Sequence, residues 1–288
     1  MTPDYCTQWP ASFTAAASFC FDVDAESAVL SFAPDAASRM SVMTHQSYGP
    51  LVGIPRLLRI LEQHGVLATF FVPGYTAHRY PDVVRSLVEH GHEIAHHGYL
   101  HEPLGSADEA QEITYLERGL EALEEVAGVR PVGYRAPMWE LNYRSPHLLA
   151  ERGFLYDSSL MDGDSPYLLA TGQGDESLVE IPIHWALDDW EQYCYIPALF
   201  ETGVIENPAK TREMWLSELR AVSDEQGCFV LTAHPFVSGR PSRARALSDV
   251  IEAAVADPRV WVATMAQIAE HTRSQSLRVR TLSQPQVE

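Results

Sequence analysis

The chain has 288 residues, with 20 Lys plus Arg against 39 Asp plus Glu, a formal net charge of −19. That length suffices for one large domain with a substantial core. The acidic balance opposes the counterion release by which basic proteins hold nucleic acid, and it disfavours anionic membrane surfaces, so neither is expected as a partner. Four cysteines, Cys6, Cys20, Cys194 and Cys228, show no CxxC spacing and read as reduced core thiols. No basic n-region precedes the small-residue run Ala15 to Ala17, and no apolar stretch approaches the roughly 18 residues of a membrane span. The expectation is a cytoplasmic protein.

Short β-branched or aromatic runs alternate with helix-period segments, which predicts an α/β protein with a mostly parallel sheet. The first strand falls near Ser18 to Val23. Ile54, Leu57, Leu58 and Leu61 follow the period of an amphipathic helix stopped by Gly65, and Val66 to Val72 reads as a buried strand ended by Pro73 and Gly74. Val84, Leu87 and Val88 mark a helix stopped at Gly91, after which Glu93-Ile94-Ala95 ends a third strand just ahead of His96 and His97. Ser106 with Glu109 predicts a capping box for a long helix carrying Ile113, Leu116, Leu120 and Leu123, closed by Gly128. Val132 to Tyr134 is a short strand leading into Arg135. Residues 157 to 207 read as an elaborated loop region with one strand at Leu178 to Ile181. Asn207 and Pro208 start a helix with Trp215, Leu219 and Val222 on one face, ended by Gly227. Cys228 to Thr232 is the next strand, and it delivers His234. Ala244, Leu247, Ile251 and Ala254 share a helical stripe, Val260 to Ala263 is a strand, and Thr264 with Gln267 caps the last helix. Residues after about 273 are polar and read as frayed.

Three strand ends carry residues with chemistry: Asp22-Val23-Asp24, His96 to His101, and His234. In parallel α/β folds such ends converge on one face. Two carboxylates at i, i+2 on an extended strand point the same way, and like charges that close need a cation or a proton between them. A solvated turn or helix cap fits the same pair. His97 and His101, four apart, suit one side of a divalent metal, although helix-packing histidines share that spacing. With Asp24 they make a two-His, one-carboxylate face that serves hydrolytic zinc or oxidative iron equally. His96 reads as structural or as a support behind the metal ligands, because neighbouring imidazoles rarely reach one ion. Glu26, Tyr48, Trp139, Trp185, Asp188, Asp189 and Trp190 are candidates to line the pocket, and Asp162 and Asp164 read as loop residues.

The segments FDVDAE at Phe21 to Glu26, EIAHHGYLHE at Glu93 to Glu102, RAP at Arg135 to Pro137 and LTAH at Leu231 to His234 stand in an order that resembles the polysaccharide deacetylase family, over about residues 18 to 270. The resemblance implies a distorted (β/α)7 barrel, a single domain at 1–273 with an elaborated loop region, and a polar tail at 274–288. It makes Asp22 the catalytic base, Asp24, His97 and His101 the metal ligands, Arg135 the partner of the base, and His234 the general acid. Glu26, Tyr48, Trp139 and Trp185 are the expected substrate-binding residues. His234 has to be protonated when it acts, so some neighbour must support its charge.

The aspartates of FDVDAE are separated by one residue, whereas extracellular members show adjacent aspartates. SYGPLVGIPRLL at Ser47 to Leu58 and HPFVSGRPSR at His234 to Arg243 resemble a cytosolic branch that includes cyclic imide hydrolases, allantoinase-like proteins and a peptidoglycan deacetylase homologue. Allantoinase-like relatives lack the metal histidines, so the presence of His97 and His101 implies a metal-dependent mechanism. The expected cofactor is one divalent metal, Zn, with Co, Mn or Ni as substitutes. The expected substrate is a small cyclic imide, ureide or amide, with an acetamido sugar, oligosaccharide or peptidoglycan as the alternative. A non-haem iron oxygenase is the reading of another class, and the βα alternation stands against it. A homo-oligomer is expected.

Overall fold

Ala15–Asp22 (β1) is buried at every residue, as a strand covered on both faces must be. Its side chains alternate between two cores. Ala15, Ala17, Phe19 and Phe21 pack with Phe70, Leu57 and Phe229 on one face, while Ala16 and Cys20 pack with Phe71, Ala95 and Val179 on the other. In this computed structural model, residues 7–172, 176–196 and 203–287 are described.

Thr69–Val72 (β2), Glu93–His96 (β3), Gly133–Tyr134 (β4), Tyr156–Asp157 (β5), Tyr167–Ala170 (β6), Ser177–Glu180 (β7), Cys228–Ala233 (β8), Val260–Val262 (β9) and Val279–Arg280 (β10) join β1 in one sheet. Seven strands run parallel in the order β7-β5-β4-β3-β2-β1-β8. The sheet curls into a half-barrel, the distorted (β/α) barrel that the sequence predicts, in a single domain. Its parallel sense brings the C-terminal ends of β1, β3, β4 and β8 to one rim, and these ends carry Asp22, His96, Tyr134 and Ala233.

The helix Ile54–His64 buries Ile54, Leu57, Leu58 and Leu61 and ends at Gly65, whose φ of 65° suits glycine. Three expectations need correction. The capping box of helix Glu109–Ala127 is Asp108 with Gln111, not Ser106 with Glu109, because the Leu104–Ala107 turn holds the chain off the helix until Asp108. The 157 to 207 region contains β6 as well as β7, paired antiparallel; Tyr167–Ala170 is short and wholly apolar, so it shows no alternation. The residues after 273 are not simply frayed, since Val279 and Arg280 pair with Leu168 and Leu169. Cys20, Cys194 and Cys228 are free and buried; Cys6 lies outside the described residues.

Candidate active site

Asp22 ends β1 on the face directed into the curl, and Arg135 follows β4 on the same rim. The Arg135 Nη1 donates to Asp22 Oδ1 at 2.8 Å, with both side chains buried. Arg135 is itself fixed: Nε donates to the Ser158 carbonyl and Nη2 to the Ser158 hydroxyl, each at 3.1 Å, and its guanidinium lies 4.0 Å from the centroid of the Phe71 ring. Burial by itself pushes the Asp22 carboxyl up, but Arg135, His97 and His234 together hold it below the usual carboxylate range. Asp22 therefore stays ionised.

Asp24, two residues on, has no such partner. Both of its carboxylate oxygens are buried without a hydrogen bond among the described residues, in a residue 1 % exposed. His97 Nε2 lies 3.5 Å from Oδ1, and His101 Nε2 lies 3.7 Å from Oδ2. The His97 Nδ1 stands 2.8 Å from the Arg135 carbonyl. An N–H there donates to that carbonyl and leaves the Nε2 lone pair directed at Asp24. Burial, the largest influence, holds His101 down to about 4, so its ring is neutral near pH 7. A buried carboxylate without a donor among the described residues, facing the ring nitrogens of His97 and His101, is the donor set of a divalent cation.

The backbone around this cluster is strained. Of the five non-glycine residues with positive φ among the described residues, Ala25 adjoins Asp24, and His101, Met138 and Trp139 line the pocket. Such conformations cost about 1–2 kcal/mol each and persist where the surroundings over-determine them.

His234 follows β8. Its Nδ1 stands 2.7 Å from Asp189 Oδ1, its amide donates to both Asp189 oxygens at 2.9 Å, and its Nε2 lies 3.6 Å from Asp24 Oδ2. Burial pushes the imidazole down, yet Asp188 and Asp189 outweigh it and raise His234 well above its ordinary value. The neighbour that sequence reading left unnamed is thus Asp189. It is aligned because the Asp189 amide donates to the Thr232 carbonyl of β8 at 3.1 Å. Asp188, Asp189 and His234 also lie close enough to share a cation. Asp189 is already saturated by the amide and ring of His234, whereas Asp24 is not.

The cluster opens into a cavity of about 450 Å³, measured with its solvent mouth. Trp139 and Trp185 stack with centroids 4.3 Å apart and form one wall; Trp185 remains 42 % exposed. Met138, Asp188, Trp190 and Glu191 complete it. Met138 and Glu191 escape the sequence reading, since no spacing rule marks them.

Two expected substrate-binding residues are not brought to this cavity. Glu26 is buried elsewhere, accepting from Arg79 Nε at 3.0 Å and from the Tyr80 hydroxyl at 2.7 Å. Tyr48 accepts from Arg56 at 2.8 Å, with the Arg240 guanidinium 3.5 Å from its ring centroid. His96 is structural, as its neighbour's position implies: Nδ1 accepts from the Gly98 amide, and Nε2 stands 3.0 Å from the Leu116 carbonyl. A Cβ at Gly119 would sit 2.1 Å from that ring, so only glycine fits there. Asp162 stays in its loop, pairing with Tyr167 and Arg280.

A family profile described as polysaccharide deacetylase matches residues 38–156. The chain is 32 % identical over 214 residues to the peptidoglycan deacetylase of Helicobacter pylori, covering 66 % of this chain and 73 % of that protein. It is 32 % identical over 220 residues to the peptidoglycan deacetylase-like protein FGM2 of Gibberella zeae, covering 65 % of each. Among solved structures it resembles a Mycobacterium smegmatis protein placed with the polysaccharide deacetylases, with 60 % identity and a TM-score of 0.96 over the full length of both chains. Puue allantoinase shares 25 % identity and a TM-score of 0.80 over 94 % of each chain. The chain belongs to the polysaccharide deacetylase family.

Proposed function

We propose that the protein is a metal-dependent hydrolase of carbon–nitrogen bonds other than peptide bonds. Asp24, His97 and His101 hold one divalent metal, Zn in the first instance, with Co, Mn or Ni as substitutes. The observation that carries this reading is the Asp24 carboxylate, buried with no donor to either oxygen among the described residues. A divalent ion held there supplies Lewis-acid chemistry, polarising a carbonyl and acidifying water.

The chain's own residues supply the proton transfers. Asp22, kept ionised by Arg135, takes the proton of the attacking water. His234, held protonated beside Asp189, gives a proton from Nε2 to the departing nitrogen. Trp139 and Trp185 offer flat apolar faces to a substrate and limit water at the reacting carbonyl.

The substrate proposed first is a small cyclic imide, ureide or amide. The compact tryptophan-walled cavity and the likeness to an allantoinase structure support it. N-deacetylation of an acetamido sugar, an oligosaccharide or peptidoglycan is the second reading, favoured by the peptidoglycan deacetylase relatives. The deciding experiment screens metal-reconstituted enzyme against cyclic imides, ureides and acetamido sugars. Ring opening supports the first reading; steady acetate release with no imide opened overturns it. Activity that required oxygen would refute hydrolysis altogether.

No helix among the described residues is long and apolar enough to cross a membrane. A cytoplasmic homo-oligomer, with its catalytic domain at 1–273 and a tail at 274–288, is part of the same proposal. Fractionation, light scattering and limited proteolysis test these points.

A further inference from the structure

On the far side of Phe236 from the catalytic pocket lies a second cavity of opposite character. Phe236 meets Trp190 and His234 with ring centroids 5.8 and 6.2 Å away, and it meets His45 at 5.4 Å. His45, Arg240, Ser242 and Arg243 line this second cavity, about 590 Å³ with its mouth, together with Tyr193 and Tyr195. No carboxylate lines it among the described residues.

The two arginines are held on aromatic rings rather than by acids. Arg240 lies 3.5 Å from the Tyr48 centroid and its Nε donates to the Phe236 carbonyl; Arg243 lies 4.6 Å from the Tyr193 centroid. Neither makes an ion pair within 4.0 Å among the described residues. Arg243 feels the charge of Asp189, but that carboxylate is taken up by the amide and ring of His234. His45 is held below its ordinary value by burial first and then by Arg240 and Arg243, as expected where two cations face a ring with no anion between them. Guanidiniums fixed by stacking keep their N–H edges available, and these edges match planar or tetrahedral oxyanions.

We propose that the cavity lined by His45, Arg240, Ser242 and Arg243 is an anion-binding site that takes a carboxylate or phosphate group. The two guanidiniums provide the charge, and the Ser242 hydroxyl and the His45 ring complete the polar lining. This site does not rest on the catalytic reading, because anion binding is measured without substrate.

Inorganic phosphate and, separately, acetate are titrated into the purified protein at constant ionic strength set by chloride, and heat of binding is recorded. Arginine Nε–H resonances are followed by NMR in parallel. The expected result is saturable binding that Arg240→Gln and Arg243→Gln each weaken at least about tenfold, in the range of a charge-assisted contact. Arg245→Gln, an exposed arginine on the same helix, should leave it unchanged. Tighter acetate than phosphate identifies a carboxylate ligand, and the reverse a phosphate. If Arg243→Gln fails to fold for want of its Tyr193 contact, Arg240→Gln and Arg243→Lys carry the comparison. Absence of saturable binding by both anions overturns the proposal. Equal affinity in wild type, Arg240→Gln and the folded Arg243 variant also overturns it, since the anion then sits elsewhere.

Discussion

Two pairs of carboxylates are buried in this half-barrel, and the molecule neutralises them in different ways. Asp22 and Asp24 at the end of β1 face cations and imidazoles: Arg135 on the first, and His97, His101 and His234 around the second. Asp157 and Glu180 are register partners on β5 and β7, both fully buried, and no cation is paired to either within 4.0 Å among the described residues. Glu180 Oε1 accepts from the Ser159 and Leu160 amides, and Asp157 Oδ1 accepts from the Ser159 hydroxyl. One oxygen of each finds no other donor among the described residues, and the two carboxyls interact directly. Burial, the largest influence, pushes Asp157 up to about 6 and Glu180 well above the usual range, the direction that favours one proton shared by the pair. A cation leaves a charged site that can do chemistry; a shared proton removes one of the two charges and leaves a hydrogen-bonded frame. The frame supports the site, because Ser158 clamps Arg135 and the Ser159 hydroxyl accepts from the Ala136 amide at 2.9 Å.

The largest effects should separate the members of the first pair. Alanine at Asp24, His97 or His101 is expected to abolish metal retention, measured by elemental analysis of dialysed protein; undiminished metal in all three variants would sink the ligand assignment. Asp22→Asn should retain metal while lowering turnover by about 10²–10⁴-fold, the range of a lost general base. Equal metal loss in Asp22→Asn and Asp24→Ala would erase the distinction between the two aspartates.

A smaller effect distinguishes the second pair. Glu180→Gln, which keeps a hydrogen to share with Asp157, should destabilise by less than about 1 kcal/mol, whereas Glu180→Ala strands Asp157 and should cost about 2–4 kcal/mol. Identical losses in denaturant unfolding would contradict a shared proton.

The smallest effect is the pH dependence. A carboxyl raised in the folded state binds its proton more tightly there than when unfolded. Its stabilisation is therefore complete below about pH 4, the unfolded value, and is lost as pH rises through the folded value. For Asp157 that loss runs to about 6, and Glu180 extends it upward. The double variant Asp157→Asn, Glu180→Gln should flatten this decline in urea melts; an unchanged slope would place the proton elsewhere.

Much of this was legible in the chain because it depends on near neighbours. The i, i+2 spacing of Asp22 and Asp24 turns both toward one side, Gly65 and Gly128 close helices in the left-handed region, and Thr264 with Gln267 caps the last helix as expected. Periodicity located the strands that deliver the histidines. It failed at Tyr167–Ala170 and Val279–Arg280, which are too short to show a period and exist because they pair with each other and with β7. Glu26 and Tyr48 lie close in sequence to the motifs, yet proximity along the chain did not bring them to the cavity.

What the sequence determined by itself is the parallel α/β class and the residue types at the strand ends, since hydrophobic period and local spacing act over a few residues. Tertiary structure alone decided which of those groups are satisfied. Arg135 reaches Asp22 across 113 residues and Asp189 reaches His234 across 45, while Asp24 is left without a donor among the described residues. The same closure gathers His45, Arg240 and Arg243 around a cavity with no acid among its described lining residues. Burial and long-range pairing set the charge of each group, and both arise only when the sheet curls.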